Sequence, residues 1–345
     1  MTVFKKNDKC VFFAINDGYS FAFANVLMSI KNNSPKTFSE CDVICYHDGI
    51  SERNKKLLKS IHENLIFEDI KLSEKIATML NNAAVMKWGI YILVKFKGFE
   101  LVKRYNKVLH LDADIIVNGD LQAFFDLDYD MAWRKVLAWN PCEIMSGALT
   151  NKDDYISAPS GGVIYFNSRL NKYDIKDEDI LEAFDTIKDF ITGGIDERVI
   201  GYLAYKNNMN IKELSIEYNN PVYNGTQYDE NHEPIIIHFL DYRGVCTKPW
   251  KSLAAFLFFD EWAGNYKKWT DMGGNGPVNF SKKDYYTLFG FDRIKKLSEA
   301  KSRISKLTKK TESINREHIS LKKQNKKPWL LKLYLKIKNK FMENR

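Results

Sequence analysis

Short, wholly apolar runs alternate along the first 130 residues with longer stretches whose apolar positions recur at three- and four-residue steps. Residues 10–15 (C-V-F-F-A-I) read as a buried strand ending in the turn N-D-G-Y, and a helical pattern occupies 20–31. A second strand is expected over 41–46, a helix over 51–63 with Leu57, Leu58 and Ile61 on one side, and a weaker strand over 67–72. Residues 75–105 read as mainly helical, and 107–112 as a further strand. This alternation predicts an α/β fold with a mostly parallel sheet and helices on both faces. Beyond residue 130, strands are expected over 131–138, 161–167 and 234–240, and helices over 178–190 and 196–206. The run Gly273-Gly274-Asn275-Gly276-Pro277 ends all periodicity and marks a domain edge.

The chemistry concentrates where the strand over 107–112 stops, in L-H-L-D-A-D-I-I-V. Asp112 and Asp114 are spaced i, i+2, so on an extended chain both carboxylates leave on the same side. Two like charges this close repel unless a cation lies between them, and hard oxygen ligands favour Mg²⁺ or Mn²⁺. Open parallel sheets bind ligands outside the carboxyl ends of their strands, where such an ion is well placed to hold a diphosphate. A surface turn with two solvated aspartates is the alternative. Of six histidines, His238 alone lies inside a strongly apolar strand, P-I-I-I-H-F-L. It is either a core histidine with satisfied hydrogen bonds or a metal ligand. His110, two residues before Asp112, reads as packing along its strand.

With 345 residues, 45% hydrophobic and 14% aromatic, the chain can bury a full core and does not have the make-up of a disordered segment. Five scattered cysteines, without histidines to complete a zinc site, read as reduced thiols of a cytosolic protein. No secretory leader is expected, and no run approaches the ~20 apolar residues of a membrane span. The net charge of +8 hides an asymmetry: residues 291–345 carry 18 Lys/Arg against 5 Asp/Glu, leaving 34 against 39 in residues 1–290. Within this basic tail, 297–321 has a short heptad seam suited to self-association. Residues 328–342 read as a basic amphipathic helix with Trp329, Leu333, Ile337 and Phe341 on its apolar face. That helix either packs on the body or, with the tail to residue 345, lies on an anionic membrane surface; the lysine excess favours the membrane. The expected organisation is a catalytic domain over 1–272, an edge segment over 273–290 and a basic helical tail over 291–345. Positive charge confined to the tail argues against a nucleic-acid binder.

Five segments then occur in a telling order: F-F-A-I-N-D-G-Y-S, L-H-L-D-A-D-I-I-V, S-G-G-V-I-Y-F-N, D-E-R-V-I-G-Y-L, and I-I-H-F-L followed by T-K-P-W. Over residues 11–250 the chain resembles glycosyltransferase family eight, the retaining enzymes that include glycogenin and bacterial lipopolysaccharide galactosyl- and glucosyltransferases. The resemblance implies a GT-A-type Rossmann-like domain. It also implies that a divalent metal, usually Mn²⁺, bridges the phosphates of a UDP-sugar, with Asp112, Asp114 and His238 as ligands. Ala14, Asn16, Gly18 and Tyr19 are thereby assigned to uracil and ribose, with Tyr19 as a stacking ring, and Ala113 to the ribose. Asn16 stands where several relatives carry Asp, and Lys95 where many carry an Arg that reaches the donor. Lys248 matches the lysine that neutralises the β-phosphate, and Gly244 lets its loop close; the interval from His238 to Lys248 is longer here than in relatives. Ser160, Gly161 and Gly162 line the sugar pocket, Ser160 replacing a common Asn. Asp196 and Glu197 match an acidic-plus-amide pair below the sugar and are the implied catalytic carboxyls, Glu197 replacing a common Gln.

The implied activity is metal-dependent, retaining transfer of a hexose (galactose or glucose) from a UDP-sugar to a hydroxyl of a glycan acceptor. The setting would be synthesis of bacterial lipopolysaccharide, lipooligosaccharide or capsule. The tail extends this to a lipid-linked acceptor and a cytoplasmic enzyme, peripheral on the inner face of the plasma membrane. Two other classes fit parts of the chain. One is an inactive or sensing nucleotide-sugar-binding scaffold working through the 297–321 seam. The other is a metal-dependent nucleotidyl- or phosphotransferase, against which the lack of a Walker-type G-x-x-x-x-G-K counts.

Overall fold

In a computed structural model, residues 7–139, 156–190, 194–221, 233–242, 245–246, 248–250 and 259–276 are described, with isolated positions beyond them. Their principal strands are β1 (Lys9–Ile15), β2 (Asp42–His47), β3 (Ile66–Asp69), β4 (Lys107–Leu111) and β5 (Ile115–Val117). There follow β6 (Met131–Trp139), β7 (Ile156–Asn167), β8 (Ile211–Glu213), β9 (Asn220–Pro221) and β10 (Ile236–His238). The central sheet has the order β3-β2-β1-β4-β7-β6-β8. β1 is parallel to β2 and β4, β2 to β3, and β6 to β8, whereas β7 is antiparallel to β4 and β6.

This topology builds the site. The parallel strands β1, β2 and β4 all end at one edge, as open α/β sheets require for a ligand site. Because β7 runs the other way, its first half brings Ser160, Gly161 and Gly162 to that same edge. There Leu111 pairs with Val163, and the Asp112 amide donates to Gly162 O at 2.9 Å. A second sheet, β5-β10-β9, sets His238 opposite Ile115, and the Phe239 amide donates to Asp114 O at 2.9 Å.

The central strands β1, β2 and β4 are largely apolar because both faces of the sheet are covered there, whereas the edge strands β3 and β8 carry charged residues. Phe12 and Phe13 point to opposite sides. Phe12 joins Tyr46 and Phe166, and the core on that side continues into α3 (Asp177–Ile187) and α4 (Ile195–Lys206). Phe13 packs on Phe23 of α1 (Ser20–Asn33), ring centroids 4.8 Å apart. Helix α2 (Glu52–Ile61) starts from Ser51, whose hydroxyl accepts the Asn54 amide, and buries Leu58 and Ile61. Helix α5 (Phe259–Asp271), which no sequence periodicity singled out, buries Trp262 and Trp269; Asn25 Nδ2 ties it to α1 by donating to Trp262 O at 2.8 Å.

Residues 75–105 differ from the mainly helical stretch expected. They form a chain of short turns: Glu74–Ala77, Thr78–Asn81, Ala83–Met86, a 3₁₀ run Gly89–Phe96, and Lys97–Leu101. Gly89 has a φ of +70°, a left-handed conformation at which a helix stops. The three-residue repeat of 3₁₀ turns reproduces the apolar recurrence that suggested one helix. What the broken path achieves is the burial of Lys95.

The chain divides into two units, Met1–Asn279 and Phe280–Arg345. The expected edge segment 273–290 is described only to residue 276, and the seam 297–321 and helix 328–342 lie, apart from isolated positions, outside the described residues. Among the described residues no helix is long and apolar enough to cross a membrane.

Candidate functional site

Asp112 and Asp114 lie in the short bend between β4 and β5, their carboxylates both directed at His238, which β10 delivers from the second sheet. His238 Nε2 lies 3.3 Å from Asp114 Oδ1 and 3.8 Å from Asp112 Oδ2. One ligand atom from each residue falls within 4.8 Å of the others. His238 is buried, its Nδ1 sits 2.9 Å from Asn219 Oδ1, and its Nε2 has no hydrogen-bond partner among the described residues. A buried ring nitrogen aimed without a hydrogen bond between two carboxylates is unusual for a packing histidine. Two carboxylate oxygens and one imidazole nitrogen, converging in this way, are a fitting donor set for Mn²⁺ or Mg²⁺.

The consecutive glycines of β7 explain how these groups approach. A Cβ on Gly162 would overlap the His238 ring, and one on Gly161 would stand 2.5 Å from Lys95 Nζ and 2.8 Å from Glu197 Oε1. Neighbouring strand residues face opposite sides, so Gly162 admits His238 on one side and Gly161 admits Lys95 and Glu197 on the other. Lys95 Nζ bridges Asp196 Oδ2 at 2.7 Å and Asp112 Oδ1 at 3.9 Å, while Glu197 Oε1 accepts the Gly161 amide at 2.7 Å. Both acids lie in the first turn of α4.

Charges here are set by burial and by close partners. Burial by itself would push Asp112 up, but Lys95 and the hydrogen bond from His110 outweigh it and hold the carboxyl below its ordinary value. For Asp114 the Lys248 ammonium likewise outweighs burial, and the carboxyl is held below its ordinary value. Burial disfavours the Lys95 ammonium, yet Asp112, Asp196 and Glu197 together hold its pKa well above the usual lysine value. Glu197 goes the other way: burial, then the charge of Asp196, pushes it up to about 7.

At the end of β1, Asn16 caps a 3₁₀ turn, its Oδ1 accepting the Tyr19 amide at 3.0 Å. Asp17 Oδ1 accepts from the Ser51 amide (2.9 Å), the Ser51 hydroxyl (3.0 Å) and Asn54 Nδ2 (2.8 Å), which ties this turn to α2. The Tyr19 ring meets Trp250 edge-on at 5.9 Å. Two residues earlier in T-K-P-W, Lys248 Nζ donates to Asp114 Oδ2, so this segment links the first turn to the acid pair. Ala14 borders the edge half-buried, Gly18 is exposed, and Ala113 is buried between the two acids. Ser160 is buried; its carbonyl accepts Asn219 Nδ2 at 3.3 Å. Gly244 lies outside the described residues.

Two further residues join the site: His110, which the sequence pattern reads as packing along its strand, and Asn219, which it does not single out. His110 Nε2 lies 3.0 Å from Asp112 Oδ1 and orients that carboxylate; burial lowers its pKa and favours the neutral ring. The same i, i+2 rule that pairs Asp112 with Asp114 would have found it. Asn219 carries no comparable signal, because its contact with His238 depends on how β9 meets β10.

The family model described as Glycosyl transferase family 8 matches residues 10–254. Among solved structures the chain is similar to the galactosyltransferase LgtC in complex with donor and acceptor sugar analogs, with a TM-score of 0.57 and 16% identity, over 76% of this chain and 99% of that one. An active-site Gln-to-Glu mutant of LgtC gives 0.53 and 17%, over 80% and 98%. The apo bifunctional glycosyltransferase WbbM gives 0.56 and 16%, over 80% of this chain and 53% of that one, so the chain spans about half the length of WbbM. A comparison with curated protein sequences returned no match. The architecture shared with these structures is the GT-A fold.

Proposed function

The chain belongs to glycosyl transferase family 8, and from that premise we propose that it moves a hexose from a UDP-sugar to a glycan hydroxyl with retention at the anomeric carbon. Asp112, Asp114 and His238 would hold the divalent cation. The observation that carries this reading is the buried Nε2 of His238, without a hydrogen-bond partner among the described residues and placed 3.3 Å from Asp114 Oδ1 and 3.8 Å from Asp112 Oδ2. A bound Mn²⁺ or Mg²⁺ supplies Lewis-acid stabilisation of diphosphate charge.

The remaining steps belong to side chains. Lys248, already directed at Asp114, offers a fixed cation where negative charge accumulates on departing UDP. The turn 16–19, held by Asn16 and Asp17, takes the nucleoside, and Gly161-Gly162, by admitting His238, Lys95 and Glu197 against the strand, bring those groups to the sugar. Asp196 is engaged by Lys95, which makes it the weaker nucleophile of the two acids. Glu197, fixed by the Gly161 amide, is the carboxyl we assign to face positive charge developing at the anomeric carbon. The acceptor we propose is a lipid-linked glycan met at an anionic cytoplasmic membrane surface, supported by the 18-to-5 basic excess of residues 291–345.

The test is a panel of UDP-sugars incubated with the purified protein, reading UDP release with Mn²⁺ and with chelator. Mn²⁺-dependent release from a UDP-hexose is expected. Turnover of nucleoside triphosphates in its place would point to a phosphotransferase, and no binding or turnover of any UDP-sugar would contradict the reading.

A further inference from the structure

We propose that Asn219 is the positioning residue that fixes the tautomer of His238 and thereby sets the metal affinity of the site. The inference rests on the metal reading above and adds a residue to it. Asn219 is fully buried at the end of the 3₁₀ turn Ile216–Asn219, directly before β9, which pairs with β10. Its amide has one donating and one accepting end. Nδ2 donates to Ser160 O at 3.3 Å, so Oδ1 is the atom that faces His238 Nδ1, at 2.9 Å. Arg134 Nη1 donates to the Asn219 carbonyl at 3.4 Å.

An acceptor at that position demands a proton on Nδ1. A neutral imidazole protonated there carries its lone pair on Nε2, the atom aimed at Asp112 and Asp114. Left to the two carboxylates alone, the ring would take the opposite tautomer and donate Nε2–H to them, blocking its own coordination. Asn219 opposes that preference. Through Ser160 it also couples the ring to the strand that carries Gly161 and Gly162.

The experiment uses the full chain with ¹⁵N-labelled histidine. Long-range ¹H–¹⁵N spectra above neutral pH report the His238 tautomer without metal and with diamagnetic Mg²⁺, and electron paramagnetic resonance titration gives Mn²⁺ affinity. The wild type should show Nδ1–H at His238 before metal is added; a proton on Nε2 instead overturns the proposal. Asn219→Leu should move the proton to Nε2 and weaken Mn²⁺ binding by about 10–100-fold, the usual effect of losing such a partner. Asn219→Asp, which keeps an acceptor, should retain both the tautomer and the affinity. Should Asn219→Leu fail to fold, Asn219→Asp decides: an Nε2–H ring or a tenfold loss of affinity overturns the proposal. A folded Asn219→Leu protein with unchanged tautomer and affinity overturns it alone. A wild type that binds no Mn²⁺, with His238 signals unmoved by Mg²⁺, overturns the metal reading and this inference with it.

Discussion

Replacing Gly162 with alanine adds a single methyl group and should dismantle the metal site while sparing the sheet. The new Cβ would come closer to Cε1, Nδ1 and Nε2 of His238 than real Cβ atoms come to any neighbour, so one side must give. The strand is held in place, since Gly162 O accepts the Asp112 amide at 2.9 Å and Val163 pairs with Leu111. The ring therefore retreats, breaks its contact with Asn219 and carries Nε2 away from the carboxylates. Overpacking of this kind costs about 1–3 kcal/mol of stability. Losing a direct ligand exceeds the loss of a supporting partner, so Mn²⁺ affinity should fall by at least ~100-fold. Mn²⁺ titration by paramagnetic resonance, alongside thermal denaturation, measures both. Gly264→Ala is the control: it is exposed on α5 with open space at its Cβ, and should be neutral or stabilising by about 0.4–1 kcal/mol. A Gly162→Ala protein that binds Mn²⁺ and turns over like the wild type would refute the placement of His238 against β7.

Glu197 is pushed up to about 7 by burial and Asp196, so turnover that uses the ionised carboxylate should rise with pH through that value. Its raised folded pKa also means that stability is greatest below the ordinary value of 4.5 and declines as pH climbs towards about 7. Glu197→Gln should flatten both profiles, and melting curves with an undiminished slope would count against the assignment. Lys95→Met strips buried Asp196 of its partner at 2.7 Å and should cost about 3–5 kcal/mol, with most of it restored by adding Asp196→Asn. Simple additivity in thermal denaturation would argue that the two do not interact. Deleting residues 328–345 should weaken binding to anionic vesicles, most visibly at low salt, and spare turnover of a soluble acceptor; vesicle binding that is unchanged contradicts the membrane role.

Much of this architecture is written in local patterns. The apolar runs at β1, β2 and β4 are continuous because helices cover both faces, and such runs are readable without knowing their partners. Asp112 and Asp114 were legible from strand alternation, and His238 from being polar inside an apolar strand. Strand direction was not legible: nothing in G-G-V-I-Y-F-N says that β7 runs antiparallel to β4, although that reversal is what places Gly161 and Gly162 at the ligand edge. The segment 75–105 misled because three- and four-residue spacings serve 3₁₀ turns as well as α-helix; the left-handed Gly89 accounts for one of its breaks. Asn219 was beyond reach, since an asparagine pair before a proline reads as a turn and its task exists only once β9 and β10 meet.

Calorimetry of UDP binding, with and without Mn²⁺, on wild type and Asp114→Asn tests the central claim most directly. The wild type should bind UDP only when Mn²⁺ is present, and Asp114→Asn, with its circular dichroism unchanged, should lose that Mn²⁺-dependent binding. Asp114→Asn protein that binds UDP with wild-type affinity and wild-type metal dependence would contradict it.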